Sequence, residues 1–483
     1  MTNTARPSAR IYLLLLLAWA VSAAGTTAQP YVWPSDPLVR EKLEAWQDQK
    51  FGLLLHWGTY SQWGTIESWS ICSEPWISRG GADYEQYKQD YEALATTFNP
   101  SRFDPARWAS AAADAGIRYM VFTTKHHDGY NMFETRQSSY GIAGPASPFR
   151  NDPRANVTKV LFDAFRELGL SVGAYFSKPD WNHDDYWAPE WATPDRNNNY
   201  DLRRFPERWQ RFRDFTYNQI EELMTGYGPV DILWLDGGWV RPDSTINEEV
   251  ISWGYDIPKW EQDIDMPRIA AMARRHQPGL LVVDRTVHGP YEDYRTPEQR
   301  VPPSAITDYP WESNMSMSGS WAYERNPNYK PARTLVHTLV DVVAKGGNYL
   351  VGIGPGPDGT WDETAYDRLR EIGAWLRVNG EAIYATRPIA PYSEGKLRFT
   401  RSRETGAVYA IYLADEGETA PPAVLQLDRI VPAPGASVTL VETGQRLDWE
   451  AVGTGAVVRL PRRVASRVTS DFAWTIRIDR VKE

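Results

Sequence analysis

Asp236 closes an apolar run, Ile232-Leu233-Trp234-Leu235, and is followed at once by Gly237 and Gly238. A carboxylate at the end of a buried strand, before a turn that glycine permits, stands where parallel α/β folds keep catalytic groups. An Asp in that position can equally start a turn or cap the next helix. Here the pattern recurs. His56, Glu74, His126, His127, Asp128, Arg285, Glu298 and Glu312 stand in polar and aromatic clusters near the ends of other apolar runs. Two carboxylates, aromatic rings and hydrogen-bonding imidazoles are the set that glycosidic cleavage needs. One carboxylate attacks the anomeric carbon, while a second group protonates the leaving oxygen and later activates water. The acid requires a raised pKa, which a Trp ring beside it provides. Spacing nominates Asp236 and leaves Glu74, Glu292, Glu298 and Glu312 open as its partner.

Other chemistries find less support. His126 and His127 are adjacent, so on a strand they would point to opposite sides, and no His-x-x-x-His spacing accompanies them. No metal and no cofactor are expected. The Gly-x-Ser-x-Gly elbow of serine hydrolases is missing. Gly354 to Gly359 is turn-rich, but Pro355 and Pro357 remove the backbone donors that a phosphate cradle needs.

The elements that must position these residues alternate. Helical patterns are predicted over 37–49, 104–115, 157–169, 208–224, 267–276, 332–345 and 362–379. Apolar strand-like runs lie at 51–55, 119–123, 171–176, 232–235, 280–283 and 348–353. Strand followed by helix, repeated over roughly 340 residues, predicts a parallel α/β fold. An irregular (β/α)8-like barrel is favoured over a doubly wound sheet, because polar-aromatic clusters follow nearly every strand. From about Ile389 the long helical periods stop. Short runs at 407–413, 437–441 and 473–478, separated by Pro and Gly turns, predict a C-terminal all-β sandwich. The expected division is 1–28 as a signal peptide, 29–388 as the barrel and 389–483 as the sandwich.

The 483 residues carry 52 Lys+Arg against 62 Asp+Glu, a net charge of −10 that argues against nucleic acid or an anionic membrane as a partner. The 22 Trp and 26 Tyr would suit a cleft that stacks rings on the C–H faces of sugars, although aromatic residues also fill cores. The single cysteine, Cys72, rules out an internal disulfide and reads as a small buried apolar residue. Arg6 and Arg10, the apolar run 11–21 and the small residues before Gln29 form an export signal too short to span a membrane. Export without disulfides suits a bacterial periplasm or the cell exterior. Nothing in the sequence specifies an oligomeric state.

Three stretches carry a resemblance: Phe51-Gly52-Leu53-Leu54-Leu55-His56-Trp57-Gly58, Thr124-Lys125-His126-His127-Asp128-Gly129 and Leu233-Trp234-Leu235-Asp236-Gly237. With Gly380-Glu381-Ala382-Ile383-Tyr384, they closely resemble the retaining α-L-fucosidases of glycoside hydrolase family 29. The likeness runs from about Trp33 to Pro388. It implies an irregular barrel with a C-terminal β-sandwich, an exo-acting enzyme that releases terminal α-L-fucose from glycans, and no cofactor. It makes Asp236 the nucleophile. It makes Glu298 the general acid/base, because Asp293-Tyr294-Arg295-Thr296-Pro297-Glu298 is similar to the segment that carries that residue, with Glu312 as the rival. His56, Glu74, Trp76, His126, His127, Tyr175, Trp234, Arg285 and Trp321 resemble positions that line the sugar pocket. Pro75 separates Glu74 from Trp76, which stand adjacent in many members. Trp234 and Trp321 are the expected wall for the C6 methyl of fucose. A retaining hydrolase for a related axial-hydroxyl sugar such as galactose, or a lectin-like binder on an inactive barrel, are the competing expectations.

Overall fold

The computed structural model describes residues 30–192, 195–254, 257 and 262–482. The export signal expected at 1–28 lies outside the described residues.

Seven parallel strands form one curled sheet: β1 (Phe51–Leu55), β2 (Tyr119–Lys125), β3 (Ser171–Ser177), β4 (Ile232–Asp236), β5 (Leu281–Asp284), β6 (Glu312–Ser316) and β7 (Asn348–Ile353). Their order is β5-β4-β3-β2-β1-β7-β6. The gap between the two edge strands is bridged by the irregular segment 291–299. On the β5 side, Asp284 N donates to Tyr291 O (2.8 Å) and Asp293 N to Val282 O (2.9 Å). On the β6 side, Glu312 N donates to Arg295 O (2.8 Å) and Gln299 N to Asn314 O (2.9 Å). The barrel is thus irregular because its eighth member is this short seam, and Glu298 rides on it.

Side chains alternate across each strand. Ile232 and Trp234 join the cluster that fills the barrel, while Leu233 and Leu235 join the layer facing the helices. Continuing the alternation puts Asp236 on the inner side, at the mouth. Helix α1 (Pro37–Gln49) closes the opposite end, sending Val39, Leu43 and Trp46 into the inner cluster, with Trp46 stacked on Tyr294 at 4.0 Å. Gly52 is required here: a Cβ would sit 2.3 Å from the Tyr119 ring, which crosses the barrel interior.

The outer helices are α2 (Tyr84–Ala93), α3 (Pro105–Asp114), α4 (Val157–Glu167), α5 (Pro206–Gly226), α6 (Glu248–Ser252), α7 (Met266–His276), α8 (Ala332–Ala344) and α9 (Glu363–Asn379). Their starts follow capping rules. Asp104 accepts from Arg107 N with Pro105 in the first turn, and Asp265 caps α7, whose last turn carries Arg274, Arg275 and His276 toward the negative end of its dipole.

Three elements of the barrel had no signature in the sequence. Helices α2 and α6 are short and largely polar. Strand β6, Glu-Ser-Asn-Met-Ser, has no apolar run; Glu312 is bonded by Tyr119 and Trp234 inside the ring, and Ser313 and Ser316 donate to main-chain oxygens of the adjoining loops. Strand β2 also runs two residues beyond 119–123, to Lys125, whose buried ammonium bonds Asp180 (3.0 Å) and Gln219 (3.1 Å).

The C-terminal part is antiparallel: β8 (Thr386–Glu394), β9 (Leu397–Ser402), β10 (Val408–Leu413), β11 (Val424–Leu427), β12 (Val438–Leu440), β13 (Gln445–Arg446), β14 (Asp448–Val452), β15 (Gly455–Arg459) and β16 (Ala473–Ile478). They make a six-stranded sheet, β13-β12-β16-β10-β9-β8, and a three-stranded sheet, β11-β15-β14. Between them lies a separate core that includes Phe399, Leu427, Val458 and Trp474. The outer face of the larger sheet packs on the barrel. Tyr409 and Ile411 belong to the barrel's apolar layer, and Trp375 Nε1 donates to Ala473 O at 2.9 Å.

Candidate active site

A cavity of about 270 Å³ opens at the C-terminal ends of the strands. Asp236 lies on its wall, and every hydrogen-bonding direction of its carboxylate is used or faced. Oδ2 accepts from Tyr175 Oη (2.8 Å), and Oδ1 accepts from Arg285 Nη1 (3.0 Å) and Gly237 N (2.8 Å). His127 Nε2 stands 3.8 Å from Oδ2. Burial alone would raise the pKa of this carboxyl. The Arg285 charge, His127 and the hydrogen bonds overturn that and hold it well below the usual carboxylate range. Asp236 is therefore ionised at any working pH. Gly237 has φ +91°, and a Cβ there would lie 2.3 Å from Pro179, so the turn that brings its N–H onto Asp236 needs glycine.

Arg285, just after β5, grips a second carboxylate. Its Nη2 bonds Glu298 Oε2, and Trp321 Nε1 donates to Glu298 Oε1 at 3.2 Å. The guanidinium also lies over the Trp234 ring (5.1 Å), and Trp234 stacks on Tyr175 (5.3 Å). Asp236, Arg285, Tyr175 and Trp234 thus form one packed unit whose outer end is Glu298.

The three histidines gather on the facing wall. His126 and His127 come to the same mouth, with ring centroids 4.3 Å apart, contrary to the opposite-side expectation. The register of β2 against β3 shifts between Thr123 and Lys125, and the strand ends there, so its alternation no longer governs them. His56 stacks on Trp321 (5.3 Å). Burial pushes His56 down to about 3 and His127 down to about 4, and His126 well below its ordinary value. All three are neutral imidazoles at neutral pH. The Nδ1 atoms of His56 and His127 are buried without a hydrogen-bond partner among the described residues. Among the described residues no group of three or more His, Cys, Asp or Glu side chains has metal-holding geometry.

Three expectations are corrected. Glu74 and Trp76 do not line the cavity. Glu74 Oε1 accepts from Arg196 Nε (2.6 Å), and Trp76 is 54% exposed on the rim. The residues that enter are Glu67 and Trp69, seven positions earlier, together with Arg196 itself. Glu67-Ser68-Trp69 has the same Glu-x-Trp spacing as Glu74-Pro75-Trp76, so spacing alone does not separate the two pairs. Burial raises Glu67 to about 7, and its carboxylate accepts from Ala322 N at 3.1 Å. Third, Glu312 is fully buried beneath the site, accepting from Tyr119 Oη (2.6 Å) and from Trp234 Nε1 (3.3 Å). Trp234 lies between it and the cavity, so Glu312 cannot reach a glycosidic oxygen. Trp239, Trp253 and Thr286 also line the wall and carried no motif of their own. Cys72 is buried, and burial raises its thiol far above the ordinary range.

Comparison with known proteins agrees with this geometry. A sequence model of the alpha-L-fucosidase family matches residues 18–381, and one of the alpha-L-fucosidase C-terminal domain matches 391–479. Human tissue alpha-L-fucosidase is 29% identical over 500 residues, covering 99% of this chain and 98% of that protein. Among solved structures, alpha-L-fucosidase isoenzyme 1 from Paenibacillus thiaminolyticus superposes with a TM-score of 0.71 at 26% identity, covering 92% of this chain and 100% of that one. Thermotoga maritima alpha-fucosidase in complex with fucose gives 0.69 at 26% identity, covering 91% and 98%. With the first of those matches running across the whole strand-and-helix ring and its mouth, the chain belongs to the alpha-L-fucosidase family.

Proposed function

We propose that this protein is an exo-acting retaining α-L-fucosidase that removes terminal fucose from fucosylated glycans, with Asp236 as nucleophile and Glu298 as general acid/base. The observation that carries the assignment is the single Arg285 guanidinium bonded to both carboxylates. Asp236, ionised and held by Tyr175 and Gly237, attacks the anomeric carbon. Glu298, on the exposed side, gives its proton to the departing oxygen and then takes one from water. The neutral histidines donate to and accept from sugar hydroxyls, with Trp234 and Trp321 beside them as apolar walls. A cavity of about 270 Å³ suits one terminal sugar, which favours exo action.

The apolar run near the N-terminus further supports export, to a bacterial periplasm or the cell exterior. The proposed division is a leader at 1–28, a catalytic barrel at 29–388 and a β-sandwich at 389–483.

The test is turnover of an aryl α-L-fucoside by Asp236→Ala, with and without azide. Loss of roughly 10³-fold or more, about 4 kcal/mol of barrier, with return of turnover in azide, is expected. Activity within tenfold of the parent would remove Asp236 from the mechanism. An aryl galactoside run in parallel separates fucose from a galactose-type substrate, and fucose binding without any turnover would mark a lectin.

A further inference from the structure

A second, larger cavity of about 560 Å³ adjoins the first and shares Trp253, Arg285, Thr286 and Glu298 with it. Glu298 therefore stands on the partition between a small chamber and a larger one. In the proposed reaction the oxygen that Glu298 protonates joins fucose to whatever it is attached to. Fucose occupies the chamber of Asp236, so the rest of the glycan leaves on the other side of Glu298, into the second cavity.

The walls there suit carbohydrate. Pro302, Pro303 and Ile306 offer apolar faces, and Tyr309, whose ring meets the Arg295 guanidinium at 4.4 Å and Tyr31 at 5.9 Å, lines the wall beside them. Arg300 is exposed at the edge. The opposite wall is a braced loop. Thr286 and His288 both have φ +63°, a conformation that residues with a Cβ rarely adopt. The buried Glu292 holds them there, accepting from Thr286 N (2.8 Å) and meeting His288 Nδ1 (2.6 Å). A wall fixed before any ligand arrives lowers the ordering cost of binding. The cavity is larger than the fucose chamber, about 560 against 270 Å³, and has room for more than a single sugar ring.

We infer that this cavity is the leaving-group subsite, that it takes an oligosaccharide of more than one sugar ring beyond fucose, and that Tyr309 and Arg300 set the preference for it. The inference rests on the fucosidase reading. The test is kcat/KM of the full chain on an aryl α-L-fucoside, a fucosylated monosaccharide and a fucosylated disaccharide. The parent enzyme is expected to prefer the fucosylated disaccharide over the fucosylated monosaccharide by about tenfold. Arg300→Ala and Tyr309→Ala are each expected to erase most of that advantage and to leave the aryl fucoside, whose ring reaches only the Trp253 end, within twofold. The fucose-free disaccharide should inhibit aryl fucoside turnover in the parent and several-fold less in Arg300→Ala, an exposed change that spares the fold. Equal rates on both glycans, or variants that lower all three substrates alike, overturn the subsite. A parent enzyme inactive on the aryl fucoside instead overturns the fucosidase reading beneath it.

Discussion

Asp236 and Glu298 are joined through one side chain: Arg285 places Nη1 3.0 Å from an Asp236 oxygen and Nη2 on a Glu298 oxygen. The two acids sit on different elements, β4 and the seam 291–299, so the arginine sets their spacing. It also supplies the charge that keeps Asp236 ionised against its burial.

Arg285→Ala is expected to lower kcat/KM on an aryl fucoside by roughly 10²-fold. The pH profile gives the sign. Removing the cation raises the Asp236 pKa, so the acid limb of kcat/KM moves to higher pH. Arg285→Lys keeps the charge without the fork. It should restore part of the limb's position and little of the rate.

Glu298→Gln and Glu312→Gln are expected to part company. The first removes the proposed proton donor and should cost roughly 10²–10⁴-fold on a natural glycan, with a smaller loss on an aryl fucoside whose leaving group needs little protonation. The second changes a residue walled off by Trp234 and should stay within about tenfold on both. Initial rates on the two substrates decide it, and equal losses on both for Glu298→Gln would reassign the acid.

Glu312 also has a stability signature. Burial raises it to about 7 from an ordinary 4.5, so the folded state holds a proton that the unfolded chain releases. Its contribution is fully present below pH 4.5 and is lost as pH rises through about 7. In the protonated acid the carbonyl oxygen accepts from Trp234 and the hydroxyl faces Tyr119, an arrangement that the amide of Gln reproduces. Glu312→Gln is expected to gain stability over the parent by about 3 kcal/mol between pH 5 and pH 8, read as the pH dependence of the urea midpoint.

The buried histidines act in the opposite sense. His127, depressed to about 4 from 6.5, leaves the folded state with fewer protons than the unfolded chain. Stability should therefore fall as pH drops from 6.5 toward 4. His127→Gln is expected to flatten that part of the urea-midpoint curve.

Glu74 and Arg196 should behave as a pair. Glu74 bonds the guanidinium that lies over Trp69 and Trp239 at 5.0 and 5.2 Å. Glu74→Gln and Arg196→Ala are each expected to raise KM several-fold with little change in kcat. The double variant should be no worse than Arg196→Ala alone, a coupling that a double-mutant cycle measures.

Much of this was legible in the chain itself, where apolar runs end in polar clusters. Phe51–Leu55 and Asn348–Ile353 are strands over the expected residues, because continuous apolar runs bounded by turns have few alternatives. Asp236 could be read because strand alternation carries it to the inner face. Strand β6 could not, since it has no apolar run and its one buried carboxylate is satisfied from far away in sequence: Tyr119 bonds Glu312 across 193 positions. The exchange of Glu74 and Trp76 for Glu67 and Trp69 has the same origin. Both pairs lie in one long loop, and only its tertiary course, with Ala322 N on Glu67 and Arg196 on Glu74, decides which pair enters the cavity.

The seam that completes the ring has a bearing on how such an enzyme changes its substrates. Asp236 is anchored in a strand paired on both sides, where an insertion would shift a whole row of packed side chains. Glu298 lies at the end of a short patch pinned by Asp293 and the buried Tyr294, and past it the chain runs on into the prolines and Tyr309 of the outer chamber. On the proposed reading, exchanging 300–309, beyond Glu298, would alter which glycan is released while Asp236 and Glu298 stay in place, and this makes that stretch the natural target for directed evolution of new linkage preferences.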